Sequence, residues 1–218
     1  MPSTPIFSFE VLVNNIPLPE YSHTFPSNGA KSYIICPPTP KTRYTVRVQT
    51  TLTSLTYAAR LQIDGVAQGG YVLEGASDAE WEGRPINADE MQPFHFAPAQ
   101  WDFERSEDRE KAKMIGTISV EFSEIEVMGE MEHPVYGEGN QAIVEEGSGR
   151  VATYSTGYGE KERTGEQRPF MDVKNLRDTP DAVLVVENIE STRSLGSAHC
   201  TCKAGLPSTQ DTAQEESE

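Results

Sequence analysis

The chain has 218 residues, with 34 acidic and 18 basic side chains and a formal net charge of −16. That length holds one large β domain or two small ones and can bury a sizeable core. An acidic surface disfavours nucleic acid and anionic membranes as partners and suits basic proteins.

Hydrophobic residues make up 36% of the chain and aromatics 8%. These shares are low for a chain folded end to end, so part of it is expected to be disordered. The charge is unevenly spread. Residues 1–63 hold Lys31, Lys41, Arg43, Arg47 and Arg60 against Glu10 and Glu20, a net of +3 that leaves −19 for the rest. The three cysteines, Cys36, Cys200 and Cys202, are too few and too odd in number for a disulfide framework. The N-terminus has no basic region followed by a long apolar run, so no signal peptide is expected. No stretch approaches the roughly 18 apolar residues of a membrane span. A reducing intracellular compartment, cytoplasm or nucleus, is the expectation.

In chain order, Phe7, Phe9, Val11 and Val13 alternate with polar residues except at Leu12, which predicts a first strand closed by an Asn14-Asn15 turn. Pro17 and Pro19 restrict Ile16 to Tyr21 to an extended edge segment or loop. Lys31 to Cys36 is a short strand stopped by Pro37. Tyr44, Val46 and Val48 alternate with Thr45, Arg47 and Gln49, giving a strand with a basic, polar outer face. Tyr57 to Ile63 is the next, with Leu61 and Ile63 inward. Asp64-Gly65 marks a tight turn, and the chain returns through Gly69-Gly70 to Tyr71-Val72-Leu73.

Glu74 to Asp89 reads as a polar, acidic loop carrying Trp81. Phe94 and Phe96 flank an outward His95 in a short strand between Pro93 and Pro98. Trp101 lies near Phe94, Phe96 and Phe103 in sequence and is expected to pack. Ser106 to Ala112 is a charged loop or tip. The clearest strand is Lys113 to Val127. Ile118, Val120 and Phe122 alternate with polar residues, and the phase slips at Ser123-Glu124, which suggests a β-bulge. From Met114 to Gly149 there are eight glutamates and no Lys or Arg. Met128 to Gly165 is expected to be largely irregular, with a short strand at Arg150 to Tyr154. Phe170 to Val173 is strand-like, and Asp181 to Ile189 fits a buried strand.

Many short strands, turns rich in Gly and Pro, and no amphipathic helix predict an all-β fold. The expected form is an antiparallel β-sandwich or jelly-roll-like domain over residues 1–196, with irregular acidic loops. The small, polar residues 197–218 form an expected disordered acidic tail.

Phe9 to Tyr21 (FEVLVNNIPLPEY), Gly116 to Val120 (GTISV) and Asp181 to Leu195 (DAVLVVENIESTRSL) occur together in this order. On these segments the chain resembles an uncharacterised fungal family known only as a conserved domain of unknown function, across roughly residues 7–196. It departs from the family's pattern at Asn188-Ile189-Glu190, where a Tyr-Arg pair is expected. The resemblance implies a β-sandwich-like domain and brings no catalytic residues.

His199, Cys200 and Cys202 offer three of the four N/S ligands a structural zinc site uses, with Cys36 as a distant fourth; with the set incomplete, two exposed, oxidisable thiols and no metal site are the expectation. Gly137 to Ala142 fits G-x-G-x-x-A but lacks the strand before it and the helix after it that a dinucleotide site requires, so no cofactor is expected. Gly147-Ser148-Gly149 is not a nucleophile elbow, and His23, His95 and His133 sit in no catalytic pattern.

Two groups are candidate binding residues. Asp78, Glu80, Trp81 and Glu82 form an acidic loop. Its carboxylates and indole suit a partner protein or, alternatively, a glycan stacked on an exposed Trp81 and worked on by paired carboxylates. Arg43 and Arg47 form a basic strand face suited to acidic patches of a second copy. The leading expectation is a non-catalytic protein-interaction module for basic proteins such as histones, or one that self-associates.

Overall fold

The computed structural model describes residues 3–24, 29–35, 41–87, 89–99, 115–131, 153–163 and 170–189. Among them the chain forms fifteen strands and no helix. Among the described residues, no helix is therefore long and apolar enough to cross a membrane.

β1 (Phe7–Val13) turns through Asn14 and Asn15 into β2 (Ile16–Pro17). Both asparagines have positive φ, 52° and 62°, the left-handed geometry that suits two-residue hairpins and that Asn tolerates. β2 lies at one edge of the first sheet and β3 (Glu20–Thr24) at one edge of the second. The proline-bearing segment thus passes between sheets along their rims, where missing N–H groups cost no ladder bonds.

The first sheet contains β5 (Arg43–Thr50), β8 (Asp78–Trp81), β9 (Gly83–Pro85), β10 (Glu90–Ala99), β12 (Thr153–Tyr158) and β13 (Glu162–Arg163) beside β1 and β2. The second contains β4 (Gly29–Ile35), β6 (Thr56–Ile63), β7 (Val66–Glu74), β11 (Thr117–Met131), β14 (Phe170–Asn175) and β15 (Ala182–Ile189) beside β3. All pairings are antiparallel except β15 on β4, which is parallel. The architecture is an all-β sandwich.

β11 lies inside the second sheet between β6 and β15. Its register is continuous from Thr117 to Val127 and shifts only between Val127 and Gly129. The bulge expected at Ser123-Glu124 therefore lies further along. The apparent phase slip has another cause: Ile125 is buried on the opposite side of the strand from Ile118, Val120 and Phe122, outside the central cluster.

Alternation decides the core. Phe7, Phe9, Val11, Tyr44, Val46, Val48, Phe94 and Phe96 of the first sheet face Ala59, Leu61, Ile63, Ile118, Val120, Phe122, Leu184 and Val186 of the second. Phe7 joins the layers, with its ring centroid 4.3 Å from Phe122 and 4.8 Å from Tyr57. Each Val, Leu, Ile or Phe side chain among them, fully buried, contributes about 1.5–3 kcal/mol.

Three further expectations change. Glu74 to Asp89 is not a loop throughout, because Asp78–Trp81 pairs with β5 and Gly83–Pro85 with β10. Its acidic residues hid a period of two, with Ala79 and Trp81 inward and Asp78 and Glu80 outward. β10 runs through Pro93 and Pro98 instead of stopping at them. Pro93 stands where β10 leaves β9 for β5 and β12, and its carbonyl accepts a bond from Gly159 N at 2.9 Å. The strand expected near Arg150 to Tyr154 begins at Thr153 and continues to Tyr158. Cys36, Trp101, residues 106–112, His133, the glycine-rich stretch 137–149, His199, Cys200, Cys202 and the tail 197–218 lie outside the described residues.

Candidate functional site

β5 and β8 bring the two groups of candidate residues together. Val46 pairs with Trp81, Arg47 with Glu80 and Gln49 with Asp78. On the other side of β5, Glu10 stands opposite Arg47 and Leu12 opposite Thr45. Even positions of β1 and odd positions of β5 therefore share one outer face.

Two guanidiniums organise that face. Arg47 donates through Nε and Nη2 to Glu80 Oε2 at 3.3 and 3.2 Å, and its Nη1 lies 3.8 Å from Glu10. Thr45 Oγ1 donates to the other oxygen of Glu80 at 2.8 Å. Arg43 donates through Nη1 to Glu162 at 3.0 Å, and its Nη2 lies 3.5 Å from Glu82. Four carboxylates thus share two guanidiniums, a local excess of two negative charges. Between the ion pairs lies an open depression of about 240 Å³, lined by Leu12, Asn14, Asn15, Thr45, Arg43, Glu80 and Glu82. Leu12, the residue that interrupted the polar alternation of β1, is only 1% exposed.

Arg43 and Arg47, expected to form a basic strand face for a second copy, stand among acidic side chains of their own sheet. Both are engaged by carboxylates of their own sheet, because β8 and β13 deliver acidic residues beside β5. The exposed Trp81 that the glycan alternative required is not found. Trp81 is 2% exposed and packs on Tyr71 with ring centroids 4.8 Å apart. Its alternation phase in β8 points the indole into the core, so it has no face to stack on a sugar.

His95 is outward, as expected, and sits opposite Arg43 in register. Partial burial lowers its pKa, and Arg43 and Lys41 push the same way. The Pro93 carbonyl and Glu162 oppose them. Among the described residues no group of three or more His, Cys, Asp or Glu stands close enough together to hold a metal ion.

A second polar locus lies between the sheets. Gln68, Gln92, Arg84 and Tyr158 gather where β7 faces β9, β10 and β12. Gln68 donates to Tyr158 Oη at 2.9 Å, and the Arg84 guanidinium lies 5.7 Å from the Tyr158 ring centroid. Nearby, Asp64 accepts bonds from Gly116 N at 2.6 Å and Thr156 N at 3.0 Å, tying the β6–β7 turn to both sheets. Sequence reading singled out none of these polar side chains as a site. The one available signal was polar residues at inward positions of alternating strands, visible only once register is known.

No protein-family model matches this chain, no curated protein matches it, and no solved structure matches it at a significant level.

Proposed function

We propose that this protein is a non-catalytic interaction module that binds a Lys- or Arg-rich segment of another protein across the outer face of β1, β5 and β8. The observation that carries this reading is the network in which Glu10, Glu80, Glu82 and Glu162 pair, among the described residues, with Arg43 and Arg47. An incoming cation meets carboxylates already held in place, with Glu82 and Glu162 the more exposed of the four. The overall charge of −16 steers basic partners toward the molecule from a distance. Self-association through Arg43 and Arg47 is disfavoured, because it would have to displace in-chain carboxylates. The sparse, odd cysteine set supports action in a reducing compartment, cytoplasm or nucleus.

The test is a titration with a fluorescent oligolysine peptide and with a basic histone-tail peptide. Screening shortens from about 8 Å at 0.15 M salt to about 3 Å at 1 M, so binding should weaken steeply between these conditions. Glu82→Gln with Glu162→Gln should weaken it at low salt while leaving the fold intact. Binding that is indifferent to salt and to this double substitution would refute the proposal.

A further inference from the structure

Three buried side-chain polar atoms among the described residues have no hydrogen-bond partner, and all three belong to the inter-sheet locus: Gln68 Oε1, Gln92 Oε1 and Arg84 Nε. Folded proteins pair nine in ten or more of their buried polar groups, so three orphans in one place call for a physical account. Their proximity follows from the pairing pattern. Gln92 and Arg84 are directly opposite in the β9–β10 ladder. Gln92 Nε2 donates to Gly159 O, adjacent to Tyr158. Gln68 Nε2 donates to Tyr158 Oη and to Val66 O at 3.0 Å. Gln68 is 0% exposed and Gln92 6%, while Arg84 and Tyr158 are half-buried and form the outer lip.

The unmet valences define the ligand. Two amide oxygens can only accept, and a guanidinium N–H can only donate. An anion would satisfy Arg84 and repel both amides. An ammonium or metal cation would satisfy the amides and be repelled by Arg84. A neutral hydroxyl oxygen both donates and accepts, and a single water can serve all three atoms, within the two to four bonds typical of buried water. Turning either amide exchanges an acceptor for a donor, which a hydroxyl also answers. We propose that Gln68, Gln92 and Arg84 form a binding site for hydroxyl oxygen, supplied by water or by a small neutral polyol entering past Tyr158. Burial raises the Tyr158 pKa, against smaller opposing effects of Gln68 and Arg84, so its phenol stays protonated and neutral at neutral pH, leaving Arg84 as the one charged group of the lip.

This inference is independent of the outer-face reading and is tested on the full chain by high-resolution crystallography with and without a glycerol soak. The expected result is an oxygen within about 3.2 Å of Gln68 Oε1, Gln92 Oε1 and Arg84 Nε. A water retained in both crystals identifies water as the source, and its replacement by a glycerol hydroxyl shows that polyols enter. A site in which Gln92 turns to bond Arg84 directly, with no oxygen density, would overturn the proposal. In solution, oxygen-17 relaxation dispersion should register a long-lived water that Gln68→Met and Gln92→Met each remove. An unchanged signal in folded variants would count equally against it.

Discussion

Asp64 connects three parts of the sandwich through one side chain. It occupies the β6–β7 turn with φ at 52°, and its two oxygens accept from Gly116 N at 2.6 Å and Thr156 N at 3.0 Å. Gly116 leads into β11 of the second sheet, and Thr156 belongs to β12 of the first. Hydrogen bonds to a charged group contribute about 1.5–3 kcal/mol each. Asp64→Asn keeps a residue tolerant of the left-handed turn but offers one carbonyl oxygen in place of two carboxylate oxygens, so it should cost about 1.5–3 kcal/mol. Asp64→Gly removes both acceptors, a loss of about 3–6 kcal/mol, offset by about 1–2 kcal/mol from relief of the left-handed backbone. In a protein of this size each kcal/mol moves Tm by about 2–4 °C. The asparagine variant should therefore melt about 3–12 °C below wild type, and the glycine variant, at a net loss of about 1–5 kcal/mol, about 2–20 °C below it. Thermal melts followed by circular dichroism, with urea titrations, measure both. If Asp64→Gly equals or exceeds wild type in stability, turn geometry governs this position and the carboxylate bridge contributes nothing.

Trp81→Ala should destabilise by about 3–5 kcal/mol, as large-to-small changes in cores do. In the wild-type protein Trp81 emission should be blue-shifted and resist acrylamide quenching, read in a Trp101→Phe background. Gly83→Ala should disrupt the β9–β10 pairing, since a Cβ at position 83 would collide with the main-chain carbonyl of Gln92; loss of amide-exchange protection confined to these strands would register it. The folded-state pKa of His95 lies below the usual 6.5, chiefly through burial. The unfolded chain then binds this proton more readily, so the contribution of His95 is present above about pH 6.5 and is lost as pH falls through the lower folded value. Stability should drop between pH 7.5 and 5.5, and His95→Gln should flatten that drop; an unaltered profile would exclude His95 as a cause.

Much of the fold was legible in the chain itself. Period-two alternation located β1, β5, β6 and β11 and chose their inward residues, because a strand has two faces and burying one requires every second residue to be apolar; β15 showed as a short apolar run. The turns at Asn14-Asn15 and Asp64-Gly65 were equally local, since few residues accept positive φ. Acidic composition concealed β8, and frequent Gly and Tyr hid how far β12 runs beyond Tyr154; the strand character of these stretches depends on what lies beside them.

Pairing across distance lay beyond the sequence. Arg43 and Arg47 read as a free basic face until β8 and β13 set Glu80, Glu82 and Glu162 beside them. Trp81 read as a loop aromatic until its register turned it inward. The polar end of the core, with Gln68, Arg84, Gln92 and Tyr158 drawn from four strands, has no local signature at all. Side-chain periodicity is a property of one strand and is written in consecutive residues. Which strands become neighbours is settled by closing the two sheets over a common core, and only that closure decides which charges and amides meet.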